Sequence, residues 1–546
     1  MEFELSFLDY AIIIGYFIIV FAIGFYFARK ERTSTEYFLA GRHVGWFAVG
    51  ASLFASNIST EHFIGLSGTG YASGLAVGNF EWSASICLLI LGWVFVPFYL
   101  KSGVFTMPEF LERRYSSSSR WYLSTVSIVA YIMTKISVHL FAAGILLKQV
   151  MGWDMYTSSI LLVVATGIYT IAGGMSAVIY TELIQTFILL IGAITLTWLG
   201  LDKVGGWHEL VASVPAGHME MFKPMSDPDF PWTGVIITPY IVGIWYWCTD
   251  QSIVQRVLAA KNIDQAKSGT IFAGFLKILP VFILILPGLI AYALQHKGLL
   301  MPGQKIEPND VYPVLVKALL PVGFRGLIVA SLLAALMASL AACFNSASTL
   351  MTIDIYQKFR PQAPEKKLVR FGQYSTVALV FISLLWVPIV SKLSSQLFLY
   401  LQSVQSYISP PIACVFLVGL LWPKANAKGA ATVLWTGFAL GMARFVLEII
   451  HKETPFTNPL LKTLIEMNFM HFAILLFLVS ILLLIVVSLS TAPPPPEKVD
   501  GLTFKYAGNV AATQEYQIEQ PAHRRRNIVA SVILLLMLAV FWFVFG

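Results

Sequence analysis

The chain has 546 residues, of which 57% are hydrophobic and 12% charged, and its mean hydropathy is +0.75. This composition excludes a water-soluble globular protein and predicts an all-α, polytopic membrane protein in a lipid bilayer. The net charge of +7 does not indicate a nucleic-acid partner, because the basic residues are scattered through loops between apolar segments.

The reactive residue types give no sign of an enzyme. All four cysteines fall in apolar segments, which argues against a disulfide framework or a paired-cysteine metal site. The sequence shows no nucleophile paired with a base, no paired metal-ligand motif and no phosphate loop. We therefore expect a protein without catalytic activity.

Apolar segments of roughly twenty residues recur and predict about fourteen membrane spans. Lys and Arg concentrate in alternate loops, at 29–42, 113–120, 256–267, 358–370 and 524–526, so these loops are expected to be cytoplasmic. Both termini would then lie outside, in a multi-pass protein of the plasma (cytoplasmic or inner) membrane. The predicted spans lie near 8–28, 46–71, 78–100, 121–149, 156–172, 176–202, 231–252, 268–295, 318–356, 371–391, 394–421, 428–450, 468–490 and 527–546.

The second predicted span contains polar residues that lipid would not tolerate. Its stretch 52–74 carries Asn57, Glu61 and His62 together with several glycines, in the midst of apolar residues. Backbone unwinds at membrane depth only where it is buried in protein or lines a watery cavity, because unpaired amides in hydrocarbon cost several kcal/mol. The stretch therefore predicts a broken helix at a solute site.

A second broken helix is predicted at 231–251, where Pro239 and Gly243 interrupt an apolar run. Two interrupted spans at corresponding positions are typical of an inverted-repeat transporter that binds its solute between them. The predicted organisation is 1–45 first span and cytoplasmic loop, 46–202 first repeat, 203–230 outer loop, 231–421 second repeat, 422–490 two peripheral helices, 491–526 poorly ordered cytoplasmic linker and 527–546 last span.

Two charged residues inside spans are candidate site residues. Lys277 lies nine residues into a span, at a depth of about 14 Å, and either binds solute or forms a structural ion pair. Glu81 opens the third span, where its two oxygens would suit vicinal hydroxyls; the alternative is a hydrated carboxylate at a helix end.

Aromatic and amide side chains supply further candidates. Tyr246 and Trp247 belong to an aromatic run that would cover the apolar faces of a sugar ring, or else form an interfacial belt. Gln402 begins a polar stripe that lines a cavity or packs against another helix. Ala335 and Ser339 share one helix face, which suits a hard cation or a serine that bonds to its own helix.

The motifs as a whole resemble the sodium/glucose cotransporters of the solute:sodium symporter family. The resemblance covers nearly the whole chain and rests on GASLFASNIS, EHFIGLSGTG, GNFEW, FVPFYLKSGVFTMPEFLERR, IYTIAGGMSAVIYTELIQT, YLQSVQSYISPPIA and above all IWYWCTDQ. It implies a LeuT-like fold of two five-helix inverted repeats, alternating access, and uptake of a monosaccharide with sodium as the coupling ion.

The resemblance also implies the site residues. The sugar would be held by Asn57, His62, Glu81, Trp247, Lys277 and Gln402, with Tyr246 as a gate on the inner side. Sodium would bind the carbonyls of Ala55, Ile58 and Ala335 and the Ser339 hydroxyl, and Glu182 marks a candidate second cation site.

The chain departs from the family pattern at two of these positions. Ala338 removes one of two adjacent hydroxyls, and Glu182 replaces an aspartate. The first hypothesis is sodium-coupled symport of glucose or galactose into the cell. The alternatives are a sodium- or proton-coupled inositol or polyol transporter, and a sugar-gated sensor or channel without coupled transport.

Overall fold

The computed structural model describes residues 6–28, 33–152, 154–321, 323–390, 397–508 and 518–546. These residues are almost entirely helix and loop, with isolated β-bridges such as Val44 to Ala260, so the all-α prediction is confirmed. Positions 1–5, 29–32, 322, 391 and 394–396 of the predicted loops and spans, and 509–517 of the predicted linker, lie outside the described residues.

The helices follow the predicted segments closely. The first half contains Phe7–Ala28, Ser34–Leu39, Trp46–Asn57, Thr60–Ser73, Gly78–Ile90, Val96–Ser102, Met107–Arg114, Ser117–Ala130, Ser137–Met151, Met155–Val204 and Trp207–Ser213. The second half contains Trp232–Val235, Thr238–Cys248, Gln251–Leu258, Ile263–Leu276, Leu286–His296, Val311–Leu319, Phe324–Thr349, Gln357–Phe359, Glu365–Val390, Leu397–Leu421, Ala427–Glu453, Pro459–Glu466, Phe469–Leu489 and Pro521–Phe545. Four π-helical stretches, Leu91–Phe95, Tyr131–Ile136, Val281–Ile285 and Leu350–Tyr356, join neighbouring helices.

Ten helices of the described chain are long and apolar enough to cross a membrane. Two of these are long enough for two crossings, since about 20 residues suffice for one: Thr60–Ser102 has 43 residues and turns at Gly74, and Tyr156–Val204 has 49 residues and bends at Gly174. The interrupted helices at 117–151 and 232–258 account for two further predicted spans. Each of the fourteen predicted segments thus overlaps a helix in the structure.

The first break lies where the polar stretch predicted it. Ile58 and Ser59 are extended, with φ/ψ of −74°/110° and −121°/177°, between Trp46–Asn57 and Thr60–Ser73. The Ser59 amide, which in a continuous helix would bond the Ala55 carbonyl, instead donates to His62 Nδ1 at 3.4 Å. The break therefore takes the Ala55 carbonyl out of the helical ladder.

The second break also exists and lies within the predicted range 231–251, but the prediction that Pro239 and Gly243 cause it was wrong. Pro239 lies in the first turn of Thr238–Cys248, where its missing N–H costs nothing, and Gly243 stays helical. The helix ends instead at Thr249, and the Asp250 side chain caps the next helix by accepting the Ser252 amide at 2.8 Å. The break thus falls two to three residues beyond Trp247.

Each broken helix packs against the helix that follows the other broken helix. Trp46–Asn57 packs against Ile263–Leu276, and Thr238–Cys248 packs against Gly78–Ile90. Exchange of the two halves of the chain converts one pair into the other, as an internal inverted repeat requires. The breaks are thereby brought together in the interior of the bundle.

The expectation that the predicted linker is poorly ordered was wrong for the residues that the structure describes between 491 and 508. Val499, Leu502 and Thr503 are buried, and the Lys498 ammonium donates to the Glu112 carbonyl at 2.8 Å. Apolar side chains spaced among the polar ones let this segment dock against the bundle, although its composition is mostly polar.

Candidate functional site

One pocket between the two broken helices gathers all the residues predicted to bind sugar, together with the predicted gate. Side chains from five helices meet there, and Lys277 joins them from the end of a sixth, Ile263–Leu276. The pocket is lined by Asn57, Glu61, His62, Phe80, Glu81, Ala84, Pro239, Val242, Gly243, Tyr246, Trp247, Lys277, Leu401, Gln402 and Gln405.

Lys277 is the centre of this pocket. Its ammonium donates to Asn57 Oδ1 at 2.7 Å and to Glu81 Oε2, and it lies 5.5 Å from the centroid of the Trp247 ring. Lys277 and Glu81 are 1% and 3% exposed, so the pair is withdrawn from water. A buried lysine requires such partners, because an uncompensated charge costs several kcal/mol.

The remaining polar groups of the pocket are arranged around this ion pair. Asn57 Nδ2 donates to the Tyr246 hydroxyl at 3.1 Å, and His62 Nε2 lies 3.9 Å from Glu81 Oε1. The Gln402 Oε1 atom is buried and has no hydrogen-bond partner among the described residues. A buried acceptor without a partner is costly unless a ligand or water donates to it, so this atom is suited to a hydroxyl.

A second pocket adjoins the first on the side of the predicted cytoplasmic loops. The two pockets share Glu61, Tyr246, Leu401 and Gln405. Lys135 lines the second pocket, where its ammonium bonds Asp250 Oδ2 at 2.9 Å and lies 4.6 Å from the Tyr246 ring centroid. Tyr246 thus lies between the two pockets, the position that a gate between them requires.

Three of the predicted sodium-binding groups lie together next to the first break. The Ser339 hydroxyl is 3.4 Å from the Ile58 carbonyl oxygen and 3.1 Å from the Ala335 carbonyl oxygen. Ala55 lies one turn before the break, and Ala338 is fully buried beside Ser339. Several oxygens from unwound backbone and one hydroxyl form a donor set that suits a hard monovalent cation.

Glu182 has a different environment. Its carboxylate accepts from Arg256 Nη2 at 2.5 Å and Nε at 3.1 Å, and also from the Ser52 hydroxyl. Glu182 and Arg256 are both fully buried. A bidentate guanidinium pair of this kind already neutralises the carboxylate, so a cation at Glu182 would have to compete with Arg256.

The sequence reasoning gave no role to four acidic, lysine or histidine residues of the two pockets. Glu61 was noted but given no role, and Lys135, His139 and Asp250 were not singled out. Lys135 and His139 lie four positions apart inside a predicted span. Ionisable residues spaced in this way within an apolar segment share one helix face and are a signal for a functional site.

The fold and site together define a secondary transporter built on two broken helices. The chain superposes on a Na⁺-coupled sialic acid symporter with a TM-score of 0.75 at 22% identity, over 90% of this chain and all of that one. This likeness concerns the fold, and it confirms the expected LeuT-like inverted-repeat architecture of a multi-pass membrane protein.

The family follows from the sequence comparisons. Residues 37–437 match the model of the sodium:solute symporter family. The chain is 40% identical over 517 residues to sodium/glucose cotransporter 4 of Danio rerio, covering 88% of this chain and 78% of the relative. It is 41% identical over 491 residues to the sodium/myo-inositol cotransporter of Mus musculus, covering 83% and 68%. The chain belongs to the sodium:solute symporter family.

Proposed function

We propose that this protein takes up a hexose, glucose or galactose, together with sodium by alternating access. The single observation that carries the proposal is the pocket in which Lys277, Glu81, Asn57 and Gln402 converge between the two broken helices. Its polar groups suit a polyhydroxylated guest, and relatives at about 40% identity are named sodium/glucose cotransporters. Enzyme activity forms no part of this function.

The pocket would bind the sugar through its hydroxyl groups. The Glu81 carboxylate accepts from adjacent hydroxyls, the Lys277 ammonium and Asn57 amide donate, and Gln402 Oε1 accepts another hydroxyl. The Trp247 ring offers an apolar face to the C–H side of the guest. Tyr246 closes the pocket on its inner side and gives way when the sugar leaves.

Sodium would bind where the Ile58 and Ala335 carbonyls meet the Ser339 hydroxyl, and it links sugar binding to the shape of the first broken helix. Because the break that supplies Ile58 also positions Asn57 and His62, an ion at this point stabilises the sugar-binding arrangement. Glu182 is a second, weaker candidate. In the membrane, we expect both termini outside and the loops rich in Lys and Arg inside.

A polyol is the second candidate substrate. The myo-inositol relative, at 41% identity, favours it, and inositol presents the same vicinal hydroxyls as a hexose. A sensor or channel without coupled transport is favoured only by Ala338 and by the engagement of Glu182 with Arg256.

Uptake of labelled glucose, galactose and myo-inositol into proteoliposomes, each with and without an inward sodium gradient, tests the proposal. We expect sodium to drive accumulation of at least one hexose and inositol to accumulate less. Preferential inositol accumulation would identify a polyol transporter. Substrate-evoked current without accumulation would identify a sensor or channel, and equal uptake with and without sodium would overturn the coupling.

A further inference from the structure

The charges that line the two pockets do not balance. The two pockets together are lined by three carboxylates, Glu61, Glu81 and Asp250, but by only two lysines, Lys135 and Lys277. Lys277 pairs with Glu81, and Lys135 pairs with Asp250. His62 also lies near Glu81, but among these three carboxylates Glu61 is the one whose ion-pair partners in the described part of the chain are histidines alone.

The contacts of Glu61 define a compact group. Glu61 Oε2 lies 3.3 Å from His139 Nε2, and Glu61 Oε1 lies 3.8 Å from His62 Nδ1. The side chains of Glu61 and His139 are 13% and 6% exposed. With both histidines neutral, this interior holds one unbalanced negative charge, which is costly at membrane depth. One bound proton removes that imbalance.

The other titratable groups that face Glu61 are already committed or neutral. On its own helix, His62 Nδ1 accepts from the Ser59 amide and its Nε2 side faces Glu81, which is held by Lys277. On the facing helices, Lys135 is held by Asp250, and Tyr246 and Cys343 are neutral groups of the second pocket. His139 therefore provides the exchangeable site for the proton.

Access to this site is available from both pockets. Glu61 lines both of them, and His139 lines the second. His139 is 5% exposed, and its buried Nδ1 atom has no hydrogen-bond partner in the part of the chain that the structure describes. A buried ring nitrogen in this state needs a water or an exchangeable proton to satisfy it.

We propose that Glu61 and His139 form a proton-binding site, and that a proton bound between Glu61 Oε2 and His139 Nε2 is carried with the sugar. The site accepts a proton from the outer solution when the first pocket is open and releases it through the second pocket when Tyr246 moves. One proton belongs to the pair as a whole, whether it resides mainly on the carboxyl or on the ring. Transport by this route needs no ion other than the proton.

A proton titration tests the site without any sugar. The purified full-length protein is moved in weak buffer from about pH 8 to about pH 5, the interval in which histidine titrates, and the protons taken up are counted. Wild type should bind one proton more than Glu61→Gln, because the variant has no charge to neutralise. In His139→Gln the proton should still bind, but at lower pH, because a carboxyl must take it alone. Equal uptake by wild type and Glu61→Gln would overturn the proposal.

The transport consequence rests on the proposed hexose uptake. In sodium-free proteoliposomes, an inward proton gradient should raise labelled glucose uptake several-fold in wild type and leave it unchanged in Glu61→Gln. Glu209→Gln is the matched control, because Glu209 pairs with Lys297 outside both pockets. This variant should keep the wild-type ratio of glucose uptake with the proton gradient to uptake without it. A proton-driven ratio retained by Glu61→Gln would contradict the proposal. If wild type takes up no glucose under either a proton gradient or a sodium gradient, the hexose function is refuted. The titration then still decides whether the proton site exists.

Discussion

Gln402 lines the pocket, and its buried acceptor atom Oε1 receives no hydrogen bond from the described residues. If a sugar hydroxyl donates to it, Gln402→Ala should lower the apparent affinity for hexose by up to about 10-fold, since a neutral hydrogen bond contributes about 0.5–1.5 kcal/mol. Concentration-dependent uptake of labelled glucose measures this. Ser409→Ala is the matched control, because the Ser409 hydroxyl on the same helix is also buried and has no partner among the residues described, but does not line the pocket. Equal loss in both variants would contradict the assignment.

The Lys277–Glu81 pair permits a double-mutant test of buried charge. Lys277→Met and Glu81→Gln should each destabilise the protein by about 3–5 kcal/mol, because each leaves its partner charged and unpaired. The double variant should recover much of that stability yet remain inactive, since both groups are proposed to bind sugar. Thermal unfolding in detergent, with uptake measured in parallel, tests this. A double variant that transports like wild type would show that the pair is only structural.

Residues that stand out locally could be predicted, whereas their partners could not. Asn57 and Lys277 are conspicuous because they are polar in apolar runs, and the structure places both in the predicted pocket. The pairing of Arg256 with Glu182 spans 74 positions and depends on how distant helices pack. His139 escaped notice because a single histidine on an apolar helix usually satisfies a core contact. Its partner Glu61 becomes visible only in three dimensions.

At the scale of the element, the position of a break is set by backbone chemistry as well as by composition. The polar stretch located the first break, but Pro239 and Gly243 pointed to the wrong part of the second helix. The stronger signal was Asp250, a good N-cap residue directly before the helix Gln251–Leu258. Proline in a first turn does not interrupt a helix. Capping chemistry was thus a better guide to this break than the two helix breakers.

The turn at Gly74 lets the first broken helix lead into the third span. Gly74 has φ 79° and ψ −155°, and a Cβ there would lie 2.3 Å from the His218 carbonyl oxygen. Gly74→Ala should therefore lower the free energy of unfolding by about 1–3 kcal/mol through backbone strain alone. The clash of the new Cβ with the His218 carbonyl oxygen should lower it further. Gly152→Ala is the control, since Gly152 also has positive φ but its Cβ would meet open space. Melting temperatures should fall further for Gly74→Ala, and equal falls would contradict the role of the clash.

At the scale of the whole molecule, separate parts of the chain are tied together at Glu112. Its carboxylate bonds Arg120 Nη1 at 2.6 Å, Lys358 Nζ at 2.5 Å and the Ser117 hydroxyl. Burial by itself raises the pKa of Glu112. The hydrogen bonds from Lys358, Ser117 and Arg120 outweigh burial and lower this pKa to about 2, from an ordinary value of 4.5. The short helix Met107–Arg114 is thereby fixed to the helix Ser117–Ala130 and to the end of the long helical stretch Phe324–Phe359, at the predicted cytoplasmic face.

The lowered pKa of Glu112 makes its contribution to folding stability depend on pH. A carboxyl with a lowered folded-state pKa stabilises fully above pH 4.5 and loses that effect as the pH falls towards 2. Glu112→Gln should cost about 1 kcal/mol near neutral pH, because the network is partly exposed. The difference in free energy of unfolding between variant and wild type should shrink below pH 4.5. A difference that does not change with pH would contradict the ion-pair account.

The whole account depends on a sugar bound between two broken helices. Electron cryo-microscopy of the full-length protein with glucose and sodium tests this most directly. We expect density for the sugar within hydrogen-bond distance of Lys277, Glu81 and Gln402, with its apolar face towards Trp247. A map in which this pocket is collapsed or empty while glucose occupies another part of the bundle would contradict the account.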